Sequence, residues 1–195
     1  TIRLELRSVL KKLKVTTLMV THNLNDAWVL ADEVMILLNG SIVCEGPPAY
    51  LSSRVRTKDA AQFLGLNALE GVVRSTDNTY VRVYSEELGG EVMTRAADGV
   101  KEGSRVLITF RPDDVVILGS SALPDNLNVV NAIVESMQVT KCNVKLLLRL
   151  PGSTVIKAEV SRGYIINALN ELSPGSEVRV GIPLKSMHIS QLSTR

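Results

Sequence analysis

The sequence predicts an α/β segment followed by an all-β domain of two small barrels. Three observations carry this. Up to about residue 66, helical spacing alternates with short apolar runs. From Asn67 the texture changes to short alternating strands separated by Gly, Asn and Pro. That second part also repeats itself. "NALEGVVRS" (Asn67 to Ser75) lies over "NVVNAIVES" (Asn128 to Ser136), and "EGSRVLITFRPDDVVIL" (Glu102 to Leu118) lies over "PGSEVRVGIPLKSMHIS" (Pro174 to Ser190). The second copy is longer, chiefly around "GYIINALNEL", which reads as a helical insertion. The expected division is therefore 1–66, then 67–119, then 120–195, with a turn-rich linker around Gly119-Ser120-Ser121 through Pro124-Asp125.

Within the first segment, Ile2 to Lys14 carries apolar residues at 2, 6, 9, 10 and 13, with Lys11, Lys12 and Lys14 on the wet side. Val15 to Val20 is a β-branched and apolar run long enough for one buried strand. Asn23 and Asn25 are candidate caps for a helix through "DAWVLAD". "EVMILLNGSIVCEG" reads as a hairpin turning at Asn39-Gly40, since a type I′ turn needs positive φ at both central residues. Pro47 and Pro48 suit the first turn of a short helix through Leu51. A further helix, about Lys58 to Leu64, is stopped by Gly65.

Composition limits the function classes. The 195 residues are 45% hydrophobic and 22% charged, which is globular rather than disordered. A formal net charge of +2 argues for neither a nucleic-acid nor a strongly charged partner. No apolar run reaches the roughly 20 residues that span a bilayer, and no signal-peptide pattern opens the chain. Cys44 and Cys142 have no CxxC partner and are expected to be two buried free thiols. No His, Cys or carboxylate cluster has metal-ligand spacing. The first residue is Thr1 rather than Met, so the chain is expected to be a piece of a longer one.

His22, directly after the apolar run, is by itself either a turn residue or part of an active site. "VTHNLNDA", "LADEVMIL" and "NGSIVCEGPP" decide between them. In that order they resemble the end of an ABC-transporter ATPase domain, with its T-H-(D/N)-x-x-(E/D)-A pattern, its A-D-(R/E)-(V/I) strand entry and its Gly-turn hairpin. The resemblance makes His22 the switch histidine, which hydrogen-bonds the γ-phosphate and orients water in the intact protein, with ATP and Mg bound. Phosphoryl transfer depends mainly on such positioning and charge stabilisation. The sequence contains no GxxxxGK(S/T) phosphate loop, no LSGGQ-like signature and no apolar strand ending in Asp-Glu. It is expected to neither bind ATP appreciably nor hydrolyse it alone.

"ITFRPDDVVIL" is similar to the "IRPEDI" element of the regulatory TOBE domains of ABC importers, which pair two OB-like barrels. "AEVSRGYIINALNELSPGSEVRVGIPLKSMHI" resembles the MOP-like module that binds molybdate or tungstate. By that resemblance Ser161 and Arg162 match the module's Thr/Ser-Arg, Lys185 and Ser186 match its Lys-Ala/Ser, and Asn128 opens its first strand. Hydroxyl and N–H donors with one or two cations suit a tetrahedral dianion, and in this module such sites commonly lie between subunits. Leu127 and Gly163 depart from the module's pattern. His188, between Met187 and Ile189, reads as a strand-face histidine.

The resemblance implies the ATP-binding subunit of an importer for an oxyanion, molybdate or tungstate. Its partners would be a second copy, transmembrane permease subunits and, indirectly, an external solute-binding protein. It would lie on the cytoplasmic face of the membrane. A second reading is an importer of sugar, polyamine, sulfate or iron whose barrels serve only dimer or partner contacts. A third is a nucleic-acid-binding OB protein, which needs aromatic platforms beside a basic groove. Four Tyr, two Phe and one Trp make that a poor fit, with only Tyr80 and Tyr84 near one another on a candidate strand.

Overall fold

A computed structural model describes residues 2–77, 79–97, 99–118, 126–165 and 172–192. Helix α1 (Ile2–Leu13) packs on α2 (Leu24–Leu30). Its contact with α2 is made by Arg3, Arg7 and Lys11, which recur every four residues and so share one face. They reach Asp26, the Val29 carbonyl and Asp32. Most apolar residues of α1 therefore stay in solvent: Ile2, Leu4, Leu6, Val9 and Leu13 are exposed, and Leu10 is half-buried.

The strand expected at Val15 to Val20 does not form. A buried strand needs neighbours to take its N–H and C=O groups. No described strand pairs with it, and Leu18 and Val20 remain 84% and 94% exposed. The hairpin does form, as β1 (Val34–Leu38) and β2 (Ser41–Gly46), with φ of 50° at Asn39 and 78° at Gly40. A 3-10 turn at Pro48–Tyr50 leads into α3 (Leu51–Arg54). Helix α4 (Lys58–Phe63) is capped by Thr57, whose Oγ1 accepts from Ala60 N, and ends at Gly65 with φ of 72°. Ile36, Cys44, Leu51, Val55, Ala60 and Ala61 form a small core that extends to Leu107 of the β domain. Cys44 is buried in it, whereas Cys142 is exposed, contrary to the expectation for both thiols. Cys142 sits in the tight turn that Thr140 and Asn143 close, so nothing covers it.

The rest is β-rich. The strands are β3 (Asn67–Thr76), β4 (Tyr80–Ser85), β5 (Gly90–Arg95), β6 (Arg105–Phe110), β7 (Val116–Leu118), β8 (Leu127–Val139), β9 (Asn143–Arg149), β10 (Val155–Ser161), β11 (Glu177–Pro183) and β12 (His188–Gln191). They form two antiparallel five-stranded sheets, ordered β12-β6-β3-β4-β5 and β10-β9-β8-β11-β7. The internal repeat is visible in register. The bulge of β3 between Val73 and Ser75 recurs in β8 between Val134 and Ser136.

Each half also hands its last strand to the other: β7 pairs with β11 and β12 pairs with β6. Alternating residues of both sheets, including Leu69, Val83, Ile108, Val134, Leu146 and Ile182, fill one continuous core. The turns of the two halves also interlock. A Cβ on Gly152 would lie 2.0 Å from the Glu86 carbonyl oxygen, so only glycine fits there. The expected division at 119/120 and the linker around it lie outside the described residues. Of the expected helical insertion, α5 (Arg162–Ile165) is described and 166–171 are not.

Candidate switch histidine and anion-binding residues

His22 is exposed at the entry to α2. The Thr21 hydroxyl oxygen accepts from Asn23 N at 3.0 Å, and Asn23 Oδ1 accepts from Asn25 N at 2.9 Å. Asn23 is thus the cap, and Asn25 lies inside the helix. This fixes the backbone on the C-terminal side of His22, while its imidazole has no hydrogen bond among the described residues. Lys11 Nζ, 2.9 Å from Asp32 Oδ1, holds that carboxyl below the usual range by hydrogen bond and charge. The result is a fixed helix start presenting a free imidazole beside an uncovered apolar surface.

Asn128 is half-buried, and its side chain is engaged within the chain. Its Oδ1 accepts from Met93 N and its Nδ2 donates to Met93 O, both at 2.7 Å. Nδ2 also lies 3.1 Å from Met187 Sδ. Asn67 does the same in the other half, joining Lys157 N and O at 2.8 Å each. The sequence reading passed over Asn67, although its place over Asn128 in the repeat was a signal for it.

Lys185 and Ser186 lie in a 3-10 turn, Leu184–Ser186, between β11 and β12. That turn packs against β5 of the first sheet, and Thr94 Oγ1 donates to Met187 O at 2.8 Å to fix it there. Ser161 ends β10 in the second sheet, and Arg162 opens α5 with its N–H donating to Cys142 O at 2.8 Å. The turn beside β10 is the other one, Pro112–Asp114. The two pairs expected to act together are thus apart, one on a turn packed against β5 and the other at the end of β10, and no hydrogen bond or ion pair joins them among the described residues. Lys185, Ser161 and Arg162 are exposed and Ser186 is half-buried.

His188, on β12, is half-buried, and burial pushes its pKa down. Asp114 opposes that shift and Arg111 adds to it. No group of three or more His, Cys, Asp or Glu among the described residues could hold a metal ion. No helix among them is long and apolar enough to cross a membrane.

No known family model matches the chain. It is 28% identical over 186 residues to a molybdate/tungstate import ATP-binding protein of Pyrococcus horikoshii, covering 95% of the chain and 50% of that protein. It is 29% identical over 186 residues to a sulfate/thiosulfate import ATP-binding protein of Chromobacterium violaceum, covering 93% and 47%. It is 30% identical over 121 residues to a spermidine/putrescine import ATP-binding protein of Pseudomonas aeruginosa, covering 61% and 32%. The chain spans about half the length of the first and second of these. In fold it is similar to the cytoplasmic molybdate-binding protein ModG crystallised with molybdate, at a TM-score of 0.55 and 17% identity over 65% of this chain and 96% of that one. Along most of its length, then, the chain is a homologue of ATP-binding subunits of ABC importers.

Proposed function

We propose that residues 1–66 are the closing part of the ATP-binding domain of an ABC importer subunit, and that residues 67–195 are its regulatory pair of OB-like barrels. We assign the importer to a molybdate-like oxyanion. The observation that carries the first assignment is the contrast between the two parts. The β domain buries most of its apolar residues, whereas α1 and Val15 to Val20 leave most of theirs in solvent beside the "VTHNLNDA" turn. An apolar surface of that extent calls for a covering layer, and the rest of an ATPase domain would supply it.

This chain's residues do not make a nucleotide site by themselves, because no phosphate loop is present to hold the phosphates. In the whole subunit His22 would stand at the terminal phosphate of ATP. Dimerisation, permease subunits, an external solute-binding protein and a place on the cytoplasmic face of the membrane belong to the same proposal.

The oxyanion assignment is supported by the molybdate/tungstate and sulfate importer relatives and by the cationic turn at Lys185. Ser161 and Arg162, at the end of β10, would join Lys185 and Ser186 only across a contact with a second copy. One observation favours the alternative, a polyamine, sugar or iron importer with scaffold barrels: Asn128 spends its amide on the Met93 clasp. Calorimetric titration of the chain with molybdate, tungstate and sulfate separates the two. Saturable heat from one or more of these anions is expected, and heat from none leaves the scaffold reading.

A further inference from the structure

We propose that β12 is a latch: the last strand of the second half, seated in the first sheet, holds α3 and so couples the ATP-binding part to the second barrel. The latch itself is a property of this chain. Its role in a whole subunit rests on the proposal above for the two parts. Two hydroxyls make the attachment. Thr109 Oγ1 on β6 donates to Ser52 O at 3.3 Å, and Ser190 Oγ on β12 donates to Val55 O. Both carbonyls belong to the closing turn of α3, where a helix offers no partners of its own.

Apolar packing runs along the same line. Helix α3 packs on both β12 and β6. Leu192, just past β12, packs against the small core that holds Leu51, Val55 and Leu107, and its N–H donates to Arg105 O at 3.2 Å. Helix α4 has a separate hold on the first half: it packs on β3, and Lys58 pairs with Glu70 and Glu87. Of the two helices, α3 is the one with a carbonyl taken by a strand from the second half.

The repeat shows that this attachment is particular to the first sheet. His188 pairs with Thr109 as Val116 pairs with Gly181, and Ser190 pairs with Leu107 as Leu118 pairs with Arg179. The places of Thr109 and Ser190 are therefore taken in the second sheet by Gly181 and Leu118. A Cβ on Gly181 would lie 3.3 Å from Leu118 Cδ1 and 2.9 Å from Leu127 Cδ1. There, leucines close the surface over a glycine. In the first sheet, two hydroxyls receive a helix end.

The other end of β12 is anchored at Met187, which joins it to the Leu184–Ser186 turn. Thr94 Oγ1, fully buried on β5, donates to Met187 O at 2.8 Å. Asn128 Nδ2 on β8 lies 3.1 Å from Met187 Sδ. A shift of Met187 is therefore a shift of β12, and β12 carries one of the two hydroxyls that hold α3. Coupling of this kind needs a chain of packed groups and hydrogen bonds, and this one is short.

Hydrogen–deuterium exchange of the full chain, read by mass spectrometry over residues 41–56, tests this with no nucleotide or anion added. Ser190→Ala and Thr109→Val should each speed exchange there by about three- to tenfold, as for one lost hydrogen bond. Ser190→Thr keeps a hydroxyl and should restore the parent rate. Thr94→Val, which frees Met187 O, should also speed exchange over 41–56. In every variant β8 and β9 should exchange at the parent rate, which separates release of α3 from general unfolding. Parent-like exchange over 41–56 in both Ser190→Ala and Thr109→Val overturns the latch, and so does equal acceleration of β8 and β9. Parent-like exchange in Thr94→Val overturns the coupling through Met187. The ATP-binding reading fails by a different result, absence of ATP turnover in a full-length subunit carrying this segment.

Discussion

Asn67 and Asn128 hold the two sheets together by the same bond in opposite directions. Asn67, at the start of β3, takes both backbone groups of Lys157 on β10, and Asn128, at the start of β8, takes both of Met93 on β5. Each amide thereby satisfies one residue's N–H and C=O on the outer edge of the third strand of the other half, where no further strand pairs among the described residues. Asparagine is suited to this because it carries one acceptor and a donor group in the spacing of a peptide unit.

Removing one clasp should cost more than a surface hydrogen bond, because Asn67 is 5% exposed and Lys157 N and O lose their partners together. Asn67→Ala is expected to destabilise the fold by about 2–4 kcal/mol, from two lost bonds and the desolvated groups left behind. Asn128→Ala, at a half-buried position, should cost less. Denaturant melts of both variants measure the difference. Equal, negligible losses would mean that the clasps follow the fold rather than hold it.

At Gly152 the turn after β9 meets the turn after β4. A methyl there would sit 2.0 Å from the Glu86 carbonyl oxygen and 2.7 Å from the Glu87 Cα, both backbone or backbone-attached atoms. Backbone cannot step aside as a flexible side chain can, so Gly152→Ala must separate the two turns. We expect a loss of about 1–3 kcal/mol, as for overpacking in a core. The Glu87 carboxylate, which accepts from Thr154 Oγ1 at 3.4 Å and pairs with Lys58 at 2.5 Å, should lose its contact with Thr154 at the same time. A thermal melt of Gly152→Ala indistinguishable from the parent chain would show that the turns do not pack as described.

His188 gives a pH dependence whose sign follows from its surroundings. Its folded pKa lies below the ordinary 6.5, through burial first, with Arg111 assisting and Asp114 opposing. The unfolded chain therefore takes up a proton before the folded one does. The stability that depends on neutral His188 is present above pH 6.5 and is lost as pH falls through the folded pKa. His188→Gln should flatten the stability curve below pH 6.5 relative to the parent chain. Superimposable acid limbs in the two proteins would rule this out.

The repeat was legible in the sequence because apolar alternation and the leading asparagines recur at fixed offsets. Its strand exchange was not. Similarity shows which strands are alike, and says nothing of which strands pair. Val15 to Val20 failed for a related reason: its pattern is that of a buried strand, but a strand is made by its neighbours, and none stands beside it among the described residues. The grouping of Ser161 and Arg162 with Lys185 and Ser186 met the same limit. All four are in one repeat, yet the turn of that repeat packs on β5, away from β10.

The His22 imidazole is exposed and without a hydrogen bond among the described residues. In this chain His22→Ala should change the melting temperature little, since surface substitutions away from special features stay within about ±0.5 kcal/mol. In a full-length subunit carrying this segment, the same change should abolish ATP turnover and leave nucleotide binding nearly intact, because phosphate-loop contacts hold the nucleotide and the histidine serves the reacting phosphate. Turnover and nucleotide affinity must be read together. Turnover near that of the parent subunit would remove the switch assignment, and a parallel collapse of affinity would make His22 a binding residue rather than one reserved for the chemical step.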